Sequence, residues 1–163
     1  MVDVGDDAPT FEAPLSADGV AQTRLQDHLD AGPVVLAFFA AAFSGTCTAE
    51  MAAFDDRREA FAARSATVLG VSTDLPWTLS EFREAEGLSV GLLSDNDAAI
   101  AESYGVCTTY ERLDVPRVAR RSVFVVDTDG TVVDRWLADD PGQEPDYDAV
   151  LDAVDAIASG AAD

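Results

Sequence analysis

Apolar positions along the chain follow two different periods, and their alternation predicts an order of elements. "PVVLAFF" (33–39) is a continuous apolar run of strand length after a Gly-Pro break, the pattern of a strand buried on both faces. From Cys47 onward, Met51, Phe54 and Phe61 fall at helical spacing around the polar "DDRRE", which predicts one amphipathic helix of about four to five turns. "ATVLGVS" (66–72) is a second buried strand. "PWTLSEFREAEG" (76–87) has Pro in its first turn and Gly after its end, both helix punctuation. "VGLLSD" (90–95) predicts a short strand and "NDAAIAESYG" (96–105) a short helix ending in Gly. Residues 106–119 keep no clean period and predict a loop. "RSVFVVD" and "TVVDRWLA" flank "TDG", a hairpin with Asp129-Gly130 at its turn. Tyr147, Val150, Leu151, Val154 and Ile157 then keep the spacing of a closing helix.

Strands that alternate with helices imply an α/β layered domain with parallel strands, and the late hairpin adds antiparallel pairing. The expected architecture is a mixed central β-sheet flanked by helices, a thioredoxin-like arrangement. A chain of 163 residues suits a single domain spanning 1–163. The one linker-like stretch, "ADDPGQEPD" (138–146), is too short to divide it.

Charge changes the picture more than composition does. Acidic residues number 31 against 10 basic ones, a formal net charge of −21, and every basic residue is arginine. Such a surface repels phosphate, which argues against nucleic acid and anionic membranes as partners. The acids are spread over the whole chain rather than gathered in a tail. That distribution suits a salt-rich, halophilic cytoplasm in which carboxylate repulsion is screened. No apolar run approaches the length of a membrane span. "MVDVGDDAPT" lacks a basic-then-apolar leader, so a cytoplasmic location is expected.

Candidate chemistry centres on Cys47. Two cysteines make no disulfide framework, and with His28 the only histidine, a Cys/His metal site cannot be assembled. No metal or organic cofactor is expected. Cys47 falls where a buried strand gives way to a helix, a place where α/β sheets form ligand crevices. A helix start offers free N–H groups and the positive end of the dipole, surroundings that suit a thiolate. Ser44, three residues upstream, could turn its hydroxyl toward the same space. A cysteine packed as a small buried hydrophobe remains the alternative on these grounds alone.

"FFAAAFSGTCTAE" (38–50) resembles the peroxiredoxin signature Pro-x-x-x-Thr/Ser-x-x-Cys, with Ser44 and Cys47 in place and Glu50 three residues on. "VGDDAPTFEAPLSADG" is similar to that family's Gly-Asp-x-Ala-Pro-x-Phe opening. "GVSTD", "GLLSD", "ESYGV" and "RRSVFVVDTDGTV" resemble its later segments in order and spacing. Within the family, the chain looks most like the branch of the bacterioferritin comigratory proteins and one-cysteine alkyl hydroperoxide reductase E. The resemblance implies a thioredoxin-like fold and a thiol-dependent peroxidase acting on hydrogen peroxide or organic hydroperoxides. It makes Cys47 the peroxidatic cysteine, Ser44 the hydroxyl that holds sulfur and peroxide, and Arg121 the arginine that steadies developing negative charge. Arg120 is expected on the opposite strand face. Glu50 is expected to favour the helix start, with a supporting role in the pocket as the second reading.

Two positions depart from the pattern. Ala40 stands where the family has the proline that fixes the cysteine loop, and Ala52 stands at a common resolving-cysteine position. Cys107 is then a possible resolving cysteine or a small packing residue. If it does not resolve, an external thiol or thioredoxin-like reductant must. A homodimer is a further possible partner. Trp77 and Trp136 are expected to be packing residues, His28 a surface residue, and the acid pairs Asp6-Asp7, Asp55-Asp56 and Asp139-Asp140 solvated. A rival reading is a non-catalytic thioredoxin-like domain that senses oxidants and relays the oxidation to a partner.

Overall fold

The computed structural model describes residues 1–158. A seven-stranded sheet forms the middle layer, in the order β2 (Gly19–Arg24), β1 (Glu12–Ala17), β5 (Gly91–Ser94), β4 (Thr67–Ser72), β3 (Val34–Phe38), β8 (Ser122–Val126) and β9 (Val132–Leu137). Its centre is parallel: β3 pairs with β4, and β4 with β5. The flanks are antiparallel, with β8 against β3, β9 against β8, and β1 against β5. This is the mixed thioredoxin-like sheet that the alternation implies.

Every residue of β3 is buried, and its side chains divide strictly between two cores. Val34, Leu36 and Phe38 join the layer under α1 (Leu25–Leu29) and α5 (Ala99–Tyr104). Val35, Ala37 and Phe39 join the layer under α2 (Gly45–Asp56), α3 (Arg58–Ala62), α4 (Pro76–Glu86) and α6 (Tyr147–Ala158). The period of two along a strand is the cause, since alternate side chains face opposite layers.

How close α2 comes to the sheet depends on Gly70 in β4. A Cβ built there would lie 2.6 Å from Leu92 Cδ2 and 2.8 Å from Met51 Sδ. The missing side chain is the space that Met51 of α2 fills. Gly70 therefore sets the height of the helix that carries Cys47.

Several expectations need correction. The helix expected from Cys47 through Phe61 is two helices, interrupted at Arg57, whose φ of −102° and ψ of 8° leave the helical basin. The segment 106–119 is not a loop: β6 (Cys107–Tyr110) and β7 (Val115–Ala119) pair antiparallel around a 3-10 turn at Glu111–Leu113. A register shift between Thr108 and Tyr110, with left-handed Asp114 and Arg117, breaks the period that would have shown it. Arg117 pins this hairpin to α5 and the turn before it, with its guanidinium on Glu102 Oε1 at 2.7 Å and on the Asp97 carbonyl at 2.6 Å. The hairpin β1–β2 (β2, Gly19–Arg24) has no counterpart among the predicted elements.

Trp77 is 71% exposed and not a packing residue, because it sits in the solvent-facing first turn of α4. Trp136, in contrast, packs partly buried against the α2 layer. Asp55 is buried rather than solvated, since its Oδ1 accepts the Ser89 and Val90 amides. His28 is half-buried and bonds Thr23 Oγ1 at 2.9 Å; burial lowers its pKa.

Candidate active site

The chain leaves β3 at Phe38 and turns into α2 within a few residues. Phe43 adopts φ 69°, a left-handed conformation uncommon for a side chain of its size. Two contacts hold this turn: the Ala42 amide donates to Asp74 Oδ2 at 2.8 Å, and the Phe43 ring packs edge-on against Phe82. Asp74 in turn accepts the Ser72 hydroxyl at the end of β4. The turn is thus tied to the C-terminal edge of the parallel strands, where α/β crevices form.

Ser44 is the residue before α2, and Cys47 lies in its first turn, buried to 1% exposure. The first amides of the helix have no carbonyl partner within it and face the start of the crevice. The Ser44 hydroxyl donates to the Ala41 carbonyl at 2.8 Å, closing the turn, and the Ser44 carbonyl accepts the Thr48 hydroxyl.

Arg121 enters from the other side of the sheet edge. Its guanidinium donates to Cys47 Sγ at 3.2 Å, to Glu50 Oε1 at 2.8 Å and to the Pro141 carbonyl at 3.1 Å. Arg121 and Glu50 are both buried, so this ion pair is closed to water. Glu50 Oε2 and Arg121 Nε have no partner among the described residues. Burial pushes the Glu50 carboxyl up to about 7, against the pull of Arg121 and with a further push from Glu144. Glu50 and the Cys47 sulfur therefore share one guanidinium.

Arg120 does not point away from the site. Residues 120 and 121 form the turn between β7 and β8, so strand alternation does not apply to them. Arg120 Nε donates to the Ala138 carbonyl at 2.9 Å, and the side chain lines the same cavity as Arg121. Ala40 also lines that cavity.

The cavity has a volume of about 900 Å3 and reaches Cys47. The β6–β7 hairpin forms one wall and the loop 138–142 another. Neither segment keeps a period that would predict a wall. Only the Pro141-Gly142 pair signals a turn there. Cys107 lies at the base of the hairpin, but its side chain packs against the α1/α5 core, whereas Cys47 belongs to the core of the opposite face. Both thiols are free. Among the described residues no cluster of His, Cys, Asp or Glu is placed to hold a metal, and no helix is long and apolar enough to cross a membrane.

Comparison with known proteins identifies the family and the fold. Residues 4–135 match the AhpC/TSA family. A Mycobacterium tuberculosis protein classed among the peroxiredoxins is 34% identical over 156 residues, covering 96% of this chain and 98% of its own. A chloroplastic 2-cysteine peroxiredoxin of Chattonella marina is 38% identical over 138 residues, covering 79% of this chain and 67% of its own. Among solved structures, the peroxidoxin BcpB of Mycobacterium tuberculosis superposes with a TM-score of 0.85 at 32% identity, over 96% of this chain and 99% of its own. The chain therefore belongs to the AhpC/TSA family and is a peroxiredoxin, a thiol-dependent peroxidase.

Proposed function

We propose that Cys47 is the peroxidatic nucleophile and that Arg121 is the cation that serves it. The observation that carries this reading is the 3.2 Å contact from the Arg121 guanidinium to Cys47 Sγ at the floor of an open cavity. The Cys47 thiolate attacks the terminal oxygen of the peroxide, forming an S–O bond as the O–O bond breaks. Hydroxide or alkoxide leaves and takes a proton to become water or an alcohol. Cys47 is left as the sulfenic acid. Arg121 and the first amides of α2 are the donors near the oxygen that gathers charge. Ser44 joins them when its hydroxyl turns from the Ala41 carbonyl toward the substrate, a single rotation about χ1.

The cycle closes outside the chain. Ala52 offers no thiol one turn along α2, and Cys107 is packed into the other core. An external thiol, free or on a thioredoxin-like protein, condenses with the sulfenic acid and expels water. A second thiol then releases Cys47 and departs as a disulfide. This one-cysteine cycle suits a reducing, salt-rich cytoplasm and an antioxidant role. The whole chain acts as one domain, and a homodimer is compatible with the cycle because Cys47, Ser44 and Arg121 all come from one chain.

The test is peroxide consumption in high salt with dithiothreitol in excess. Many equivalents of peroxide consumed per chain, and none by Cys47→Ser, is the expected result. A single equivalent followed by a stall would favour an oxidant sensor instead.

A further inference from the structure

The segment "GVSTD" (70–74) closes β4 and ends in a carboxylate that takes no part in the peroxide step. Asp74 Oδ2 accepts the Ala42 amide at 2.8 Å and the Ser72 hydroxyl at 2.7 Å. The Asp74 amide donates to Ser72 Oγ at 3.3 Å, and the Asp74 carbonyl accepts the Ser94 hydroxyl at 2.7 Å. Ser72 and Ser94 are buried register partners at the ends of β4 and β5. Backbone and side chain alike therefore fix Asp74 to the edge of the sheet.

Its hold on the catalytic turn is a hold on one peptide plane. The Ala42 amide and the Ala41 carbonyl are the two ends of the same planar unit. Asp74 takes the amide end, and the Ser44 hydroxyl donates to the carbonyl end at 2.8 Å. A carboxylate on the N–H polarises the peptide and strengthens its carbonyl as an acceptor. Asp74 is thereby linked to the hydroxyl three residues before Cys47 without touching it.

Little else restrains the turn. Among the described residues, the bond from the Ala42 amide is the one hydrogen bond that ties the backbone of 40–43 to a residue outside it. Ala40 leaves φ free where a proline ring would fix it. Phe43 nevertheless holds φ 69°, a conformation that costs energy for a large side chain and persists only where the surroundings impose it. Its ring lies edge-on to Phe82, yet Phe43 is 54% exposed, so packing alone is a weak clamp.

We propose that Asp74 is a positioning residue for the peroxidase reaction: through the 41–42 peptide it supplies the restraint that a proline at position 40 would give. The carboxylate holds the turn so that Ser44 and the first turn of α2 meet the substrate in one arrangement. The proposal rests on Cys47 being the peroxidatic nucleophile, and it adds what keeps the turn before that nucleophile in place.

The test is a double-mutant cycle between positions 40 and 74, read on folded chains as the second-order rate of Cys47 oxidation by hydrogen peroxide. Asp74→Ala should slow that rate about tenfold, the worth of a hydrogen bond to a charged group. Asp74→Asn keeps an acceptor oxygen for the Ala42 amide and should lose no more than about threefold. In the Ala40→Pro background the loss caused by Asp74→Ala should shrink to about twofold, because the ring supplies the same restraint. Equal losses in the two backgrounds, or no loss in the parent, would overturn the proposal. Amide hydrogen exchange on the parent chain checks the contact without any variant. The Ala42 amide should be protected, and exchange as fast as that of a free amide would also overturn the proposal. Cys47→Ser tells the two assignments apart. Peroxidase activity that survives it removes the nucleophile, whereas equal losses in the cycle beside an inactive Cys47→Ser remove only the role of Asp74.

Discussion

Arg121 and Cys47 stand 74 positions apart in the chain and 3.2 Å apart in space, guanidinium nitrogen to sulfur. Sheet register produces the meeting. β8 runs antiparallel to β3 with Ser122 opposite Phe38, so the residue entering β8 faces the turn that leaves β3. The same guanidinium holds Glu50 at 2.8 Å, three residues after Cys47 and therefore on the same face of α2. One cation thus serves a thiol and a carboxyl together.

Arg121→Ala should lower peroxide turnover by at least about tenfold, because loss of one donor to a developing oxyanion costs ~2.7–4 kcal/mol. Arg120→Ala should cost much less with hydrogen peroxide, since its fixed contact is the Ala138 carbonyl rather than the sulfur. Steady-state kinetics on both variants decide this. Arg121→Lys is the companion that keeps a charge near Glu50 while giving up the fork, and it should recover only part of the rate.

Glu50 makes stability fall as pH rises through a defined window. Its carboxyl titrates near 7 in the fold against an ordinary value of 4.5, so the folded chain holds a proton there that the unfolded chain has released. Stability then decreases with pH between about 4.5 and 7, because the folded state binds more protons than the unfolded. Glu50→Gln lacks this titration. Denaturant melts of the two chains across that window should show the variant gaining on its parent by roughly 3 kcal/mol at most. A constant difference between them would remove the buried-carboxyl account.

Elements were legible where burial was uniform or punctuation strong. β3 and β4 show as apolar runs, and α4 as a span between Pro76 and Gly87, whose φ of 64° ends the helix in the left-handed conformation. β2 was not legible because most of it faces solvent at the sheet edge, so "GVAQTR" carries no apolar alternation. Ser44 and Cys47 were legible as candidates through the signature that "FFAAAFSGTCTAE" resembles, and Arg121 through the later segment "RRSVFVVDTDGTV". The pairing of Glu50 with Arg121 was not, since nothing local links positions 71 residues apart. The cavity wall at Pro141 was hidden for a similar reason: its contribution is a backbone carbonyl, which any residue would supply.

Cys107 should stay reduced when Cys47 is oxidised, because the two side chains pack into cores on opposite faces of the sheet. A disulfide needs Cα atoms within ~7 Å and converging Cβ vectors. Intact mass after one equivalent of peroxide is expected to show one added oxygen, and excess peroxide a second as Cys47 climbs to the sulfinic acid. Loss of two hydrogens, or a covalent dimer without reductant, would make Cys107 the resolving thiol.

The net charge of −21 without lysine should make the fold depend on salt. Screening shortens from ~30 Å at 0.01 M to ~3 Å at 1 M, so carboxylate repulsion weakens steeply over that range. Thermal melts should move upward with added salt. A melting temperature that is flat or falls would contradict a salt-adapted surface.

The central claim is that Cys47 alone carries the chemistry, and one assay meets it directly. Peroxide consumption is followed with excess dithiothreitol on the parent chain, Cys47→Ser and Cys107→Ser. The parent and Cys107→Ser should consume many equivalents of peroxide per chain, and Cys47→Ser none above the uncatalysed rate. Undiminished turnover by Cys47→Ser would contradict the account, whatever the geometry around Arg121.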